Sequence, residues 1–188
     1  MKRIYCLIGL LTLVPMGLLS CTSISTKVST QNEPTSQVNT EAKALETLSK
    51  LIEGFKQSAT RSATSIYPDY YGGCFINDQK QLVVLVTDEN GQAQIKSMTE
   101  NAGNLVLKPC KFSYNQLKQA MDELNDYQTK NDNDISNNFL LYYLSESQNA
   151  VIVEMQECTP EKIEEFKKNV SDSPAIQFKQ AKGKPIDL

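Results

Sequence analysis

Tyr67-Pro-Asp-Tyr-Tyr-Gly-Gly-Cys-Phe-Ile-Asn-Asp-Gln-Lys-Gln-Leu-Val-Val-Leu-Val-Thr-Asp88 reads as one β-hairpin. Pro68-Asp69 turns the chain and Gly72-Gly73 frees the backbone, after which two β-prone runs, Cys74 to Ile76 and Leu82 to Val86, flank the polar break Asn77 to Lys80. An echo follows: Phe139-Leu-Leu-Tyr-Tyr-Leu144, a break from Ser145 to Asn149, then Ala150-Val-Ile-Val153.

Helical segments surround these hairpins. From Glu41 to about Ala63, Leu45, Leu48, Ile52, Phe55 and Ala59 recur at spacings of three and four, which predicts an amphipathic helix capped by Thr40 and packed on the sheet. Glu89 to Glu100 reads as a weaker helix ended by Asn101-Ala-Gly103, and Asn104 to Leu107 as a strand closed by Pro109. Ser113-Tyr-Asn-Gln116 has the form of a capping box with Phe112 and Leu117 as a hydrophobic staple, opening a helix whose stripe is Leu117, Met121, Leu124 and Tyr127.

Gln128 to Asn138 is polar and reads as a solvated linker between two halves. Its Asp132-Asn-Asp134 begins like a calcium loop, but Asn137 stands where that loop needs Gly and Tyr143 where it needs the closing Glu. Beyond the second hairpin, Thr159-Pro160-Glu161 starts a helix with Ile163, Phe166 and Val170 on its apolar side, Pro174 stops it, and Ala175 to Phe178 is a last strand. The fold class is therefore α+β: two consecutive hairpin-helix-strand units with small antiparallel or mixed sheets, plus an N-terminal helix, with halves at about 41–128 and 139–188.

Residues 1–20 stand apart from this domain. Lys2-Arg3 precedes a mainly apolar run from Ile4 to Leu19, shorter than the ~20 residues a spanning helix needs and suited to an export signal. The run ends in Leu18-Leu19-Ser20-Cys21, which resembles the lipobox of bacterial lipoproteins. That resemblance implies acylation of Cys21, a thioether to diacylglycerol, and attachment to a membrane of the cell envelope, the outer one in a Gram-negative host. Residues 21–40, rich in Ser and Thr, read as a tether with a reach of roughly 20–25 Å.

Composition excludes several activities. The chain has 188 residues, a formal net charge of -3 and no histidine. Loss of Lys2 and Arg3 with the signal brings the charge to -5, unfavourable for nucleic-acid binding. Without His there is no Ser-His-Asp triad, Cys-His pair or imidazole metal ligand, and no carboxylate pair is singled out. No catalytic residue, metal site or cofactor is assigned, and an enzyme ranks third among the functional readings. Cys74, Cys110 and Cys158 are too widely spaced for a CxxC motif; free thiols packed as small apolar groups are the favoured reading, with Cys74 and Cys110 the first guess for a pair if a disulfide forms.

Across about Leu45 to Gln180, the glycine-containing hairpin, the Phe112-Ser-Tyr-Asn-Gln-Leu117 helix start and the Asn149-Ala-Val-Ile-Val153 strand resemble the pro-regions of secreted serine proteases of the α-lytic protease and streptogrisin type. In that family a protease follows and is templated and then inhibited by the pro-region, whereas here the sequence runs to Lys184-Pro-Ile-Asp-Leu188 with no nucleophile motif. The resemblance implies binding of a protease or other envelope protein in trans; the alternative is a surface ligand-binding or adhesion lipoprotein. Tyr67, Tyr70 and Tyr71 form an aromatic-rich turn that could serve as a partner contact, although capping the sheet and packing on the first helix is the favoured reading. Replacing Cys21 by Ser is expected to abolish both palmitate labelling and membrane fractionation of the product.

Overall fold

The computed structural model describes residues 35–59 and 65–182. The signal segment, Cys21, residues 22–34 of the tether, Ala63 and the C-terminal Lys184 to Leu188 lie outside the described residues, whereas residues 35–40, expected to be disordered tether, are helical. The element order is α1 (Thr35–Ser58), β1 (Tyr71–Ile76), β2 (Leu82–Val86), α2 (Glu89–Met98), β3 (Leu105–Pro109), α3 (Tyr114–Lys130), α4 (Asp134–Asn138), β4 (Phe139–Ser145), β5 (Ala150–Met155), α5 (Pro160–Asn169) and β6 (Ile176–Gln180). The fold is α+β, with two mixed sheets in the orders β1-β2-β3 and β4-β5-β6.

The two sheets are built to one plan. In each, an antiparallel hairpin is followed by a helix that returns the chain to lie parallel to the hairpin's second strand. The correspondence extends to irregularities: a bulge follows the first pair of each hairpin, between Tyr71 and Gly73 in one and between Phe139 and Leu141 in the other. The hairpin-helix-strand repeat read from the sequence is thus a repeat in register as well as in order.

Local chemistry explains the turns and helix ends. In the first hairpin, Asn77 Oδ1 accepts from the Gln81 amide at 2.8 Å while Lys80 takes the left-handed region at φ 60°. Asp88 caps α2 by accepting from Gly91 N at 2.7 Å, and Glu100 and Asn101 beyond its end both have positive φ. The expected capping box of α3 is present, with Gln116 N donating to Ser113 Oγ and Ser113 N to Gln116 Oε1. Thr159 caps α5, and Pro160 occupies its first position.

Packing corrects the sequence reading in three places. Helix α1 begins at Thr35, so Thr40 falls inside it, and its buried residues are Ala44, Thr47, Leu51 and Phe55; Leu45, expected on the buried stripe, is 53% exposed. The rest of the expected stripe holds, with Phe55 buried and Leu48 and Ile52 packed against the core, while Thr47, a polar residue that an apolar pattern passes over, is buried with its hydroxyl donating to Lys43 O. Second, the stretch expected as a solvated linker is largely helical: α3 continues to Lys130, and Asn133 caps α4 by accepting from Ile135 N and Ser136 N. Ser136, which would be the third side-chain ligand of a calcium loop, instead has its hydroxyl engaged by the Asn133 backbone, accepting from Asn133 N and donating to Asn133 O.

Third, α3 belongs with the second sheet. Leu117, Ala120 and Leu124 form one core with Phe139, Val151, Val153, Met155, Phe166 and Ile176, while α1 and α2 cover the first sheet through Leu51, Phe55, Ile95, Leu82, Val84 and Val86. The packing boundary falls between the end of β3 and the start of α3, not near residue 128. Removing the fully buried Phe166, whose ring meets Phe139 and Phe178 edge-on, should cost about 3–5 kcal/mol as Phe166→Ala, whereas Leu45→Ala should stay within about 0.5 kcal/mol; urea unfolding followed by circular dichroism checks both.

Candidate functional site

The tyrosine turn divides between core and surface. Tyr71 is only 3% exposed: its ring meets Phe55 of α1 at 5.0 Å and stacks on Tyr67 at 5.4 Å, which assigns it to the core and removes it as a partner contact. Burial pushes its phenol well above the usual tyrosine range. Tyr67 and Tyr70 are half-buried and line an open cleft of about 420 Å³ with Phe55, Ile66, Pro68, Asp69 and Asn115. Tyr70 lies directly against Gly91, where an added Cβ would come within 2.6 Å of it. The turn is thus mainly a cap on the first sheet, with two ring edges left at the surface.

Next to this turn lies the seam between the two sheets, which the sequence did not disclose. A single turn, Glu146–Gln148, joins β4 to β5 and ends at Asn149, whose φ of 48° is left-handed. From there the Asn149 amide reaches the segment connecting β3 to α3. Its Oδ1 accepts from Lys111 N at 3.1 Å and Phe112 N at 2.8 Å, and its Nδ2 donates to Phe112 O at 2.8 Å and to Gly72 O of β1 at 3.1 Å. Those four bonds use the whole capacity of the amide. Asn115 adds a second tie, donating from Nδ2 to Tyr67 O and Asp69 Oδ1, and Tyr114 packs against Tyr67 at 4.7 Å.

Two glycines let the seam close. At Gly72 an added Cβ would lie 2.2 Å from Cys110 Sγ and 3.1 Å from Phe112 O, and Gly73 adopts φ 110° beneath Glu146. The cysteines play a packing role here. Cys74, Cys110 and Cys158 are all free thiols, so the guessed Cys74 to Cys110 disulfide does not form. Burial pushes Cys74 up and Cys110 up to about 11, which keeps both protonated and unreactive near neutrality.

The remaining surface feature is the edge of the second sheet. Strand β4 pairs with β5 on one side and forms that sheet's edge on the other. Leu140, Leu141 and Tyr143 are 43%, 50% and 36% exposed, and Phe139 to Leu144 contains no charge and no proline. The other edges are blunted in the usual ways: β3 ends in Lys108-Pro109, β6 carries Lys179, and the glycine-rich end of β1 lies under the Glu146 turn. The sequence signal was visible as an uncharged run, but which strand would be an edge depends on strand order.

Among the described residues, no group of three His, Cys, Asp or Glu side chains is placed to hold a metal ion. No helix among them is long and apolar enough to cross a membrane. Two matches to family models support a protease pro-region-like fold, in two small domains in tandem. Residues 31–110 match the family described as Pro-like N-terminal domain, and residues 115–181 match the one described as Pro-like C-terminal domain. The division between the two matches coincides with the packing boundary before α3. Among curated proteins, none matches the chain.

Asn149→Ala strands two N–H donors and two carbonyls, and is expected to lower stability by about 1–3 kcal/mol. Asn149→Gly, which tolerates the left-handed backbone but lacks the amide, should recover only part of that loss. Urea titration followed by tyrosine fluorescence measures both.

Proposed function

We propose that this chain is a lipid-anchored, non-enzymatic module of the bacterial envelope that binds an extended segment of an exported protein, with a protease as the partner class. The observation that carries this reading is the β4 edge. Beyond the bulge at Phe139 to Leu141, the outer edge of β4 carries no charge and no proline and exposes apolar side chains, which makes it a template for adding another strand. Backbone N–H and C=O groups supply affinity in that mode, while Leu141 and Tyr143, on one face of the strand, supply selectivity for apolar side chains on the incoming segment.

The matches to Pro-like domains support the partner class. The lipobox-like Leu18-Leu19-Ser20-Cys21 supports the anchoring, which would confine the encounter to a layer just above the bilayer. A module of this kind acts as a chaperone when its partner is still folding and as an inhibitor when the partner is mature. Both follow from one contact, because binding stabilises whichever partner conformation presents the strand.

A photo-crosslinking residue at Tyr143 is expected to capture an exported protease of the same host. Leu141→Lys combined with Tyr143→Lys should weaken that capture at least about tenfold, equivalent to ~1.4 kcal/mol, without altering circular dichroism. Capture that is equally strong in the doubly charged variant would refute the assignment to β4.

A further inference from the structure

The tyrosine cleft of the first domain does not end at the seam. Asp69 and Asn115, which line it, also line a second groove of about 700 Å³ that runs along α3 past Lys118, Asp122, Glu123 and Asp126. Asn115 Nδ2 donates to Asp69 Oδ1 at 3.1 Å and so fixes the junction of the two. At the cleft end the surroundings are aromatic, with the rings of Tyr67 and Tyr70 at 78° and 65° to Phe55, which forms a buried floor. At the α3 end they are acidic. The described residues lining cleft and groove carry four carboxylates and one cation. Among the described residues neither Asp69 nor Glu123 has a cationic partner: the first accepts from Asn115, the second from Gln119 Nε2 and Ser171 Oγ. Asp122 and Asp126 pair at 2.6 Å with Lys118 and Lys130 of their own helix, but those pairs are exposed and exchange readily for a partner's cation.

We propose that cleft and groove together bind one extended basic segment of another protein, with the aliphatic stem of a lysine or arginine between Tyr67 and Tyr70, its charged head at Asp69, and further cations along α3. Charge complementarity selects this occupant. An acidic segment would meet like charge along the whole groove, and an uncharged one would strip water from Asp69 and Glu123 without supplying a counter-charge. Long cationic side chains suit the cleft because they bury an apolar stem while the head stays in water. The dimensions agree. From Asn115 to Asp126, α3 rises roughly 16 Å, the length of about five extended residues. Asp122 and Asp126 lie one turn apart, ~6 Å along the axis, close to the ~6.6 Å between alternate residues of an extended chain, so cations at every second position meet both. Strand β4 lines neither cleft nor groove, so this inference stands whether or not β4 binds a protease.

A five-residue peptide with arginine at alternate positions and alanine between, blocked at both ends, tests this when titrated into the purified full-length chain and followed by amide chemical shifts in NMR. Shifts are expected at Tyr67 to Tyr70 and along Asn115 to Asp126, with an affinity that falls as salt is raised. The same peptide with glutamate in place of arginine should not bind. Combining Asp69→Asn, Asp122→Asn and Asp126→Asn, all at exposed positions, should leave circular dichroism unchanged and weaken binding of the arginine peptide by at least about tenfold. Equal binding of the glutamate peptide, unchanged affinity in the triple variant, shifts confined to Phe139 to Ser145, or no shifts at millimolar peptide would each overturn the proposal. Concentration-dependent shifts at the same residues without peptide would give the groove to a second copy of the chain, and would overturn it too.

Discussion

The amide of Asn149 is the joint on which the arrangement of the two domains depends. A primary amide has two donors and two lone pairs, and here all four meet backbone groups, three of them on the segment that connects the domains and one on β1. A connecting segment with no secondary structure of its own would otherwise leave peptide groups unpaired where it passes between two packed bodies. Asn suits the position on two counts, because it tolerates the left-handed backbone the turn requires and carries both hydrogen-bonding senses on one short side chain.

Around that joint, each domain solves the same problem separately. A three-stranded sheet is too small to bury both faces by itself, so each sheet lays one face on helices: α1 and α2 on the first, α3 and α5 on the second. Large aromatic rings occupy matching places, with Phe55 against Tyr71 in one core and Phe166 against Phe139 in the other, met edge to face. Tyr71 and Phe139 both stand at the bulged start of the first hairpin strand, so an aromatic ring enters the core at the corresponding place in each domain.

The two domains differ in what they do with their edges, and this is where function enters. The first sheet's edges are short, glycine-rich at the seam, or ended by lysine and proline, which discourages pairing. In the second, β4 keeps its outer edge and an apolar outer face. Under the function proposed above, the first domain would serve as the platform and the second would present the contact. Glu146 and Asn149 sit in the turn between β4 and β5, so β4 and the seam share one loop.

Much of this was legible along the chain because it is governed by neighbours in sequence. Continuous runs of apolar, β-prone residues define the strands, the Ser113-to-Gln116 capping box and Thr159-Pro160 define helix starts through contacts three or four residues apart, and the doubled hairpin-helix-strand order follows from them. What the sequence could not disclose depends on partners distant along the chain. Whether Tyr71 faces solvent or Phe55, whether Leu45 or Thr47 is buried, and that α3 joins the second core rather than the first were all decided by packing across tens of residues. Asn149, Glu146 and the open edge of β4 belong to the same class: an asparagine in a turn, a glutamate beside it and an uncharged strand are ordinary until tertiary structure brings them against Gly72, Gly73 and solvent.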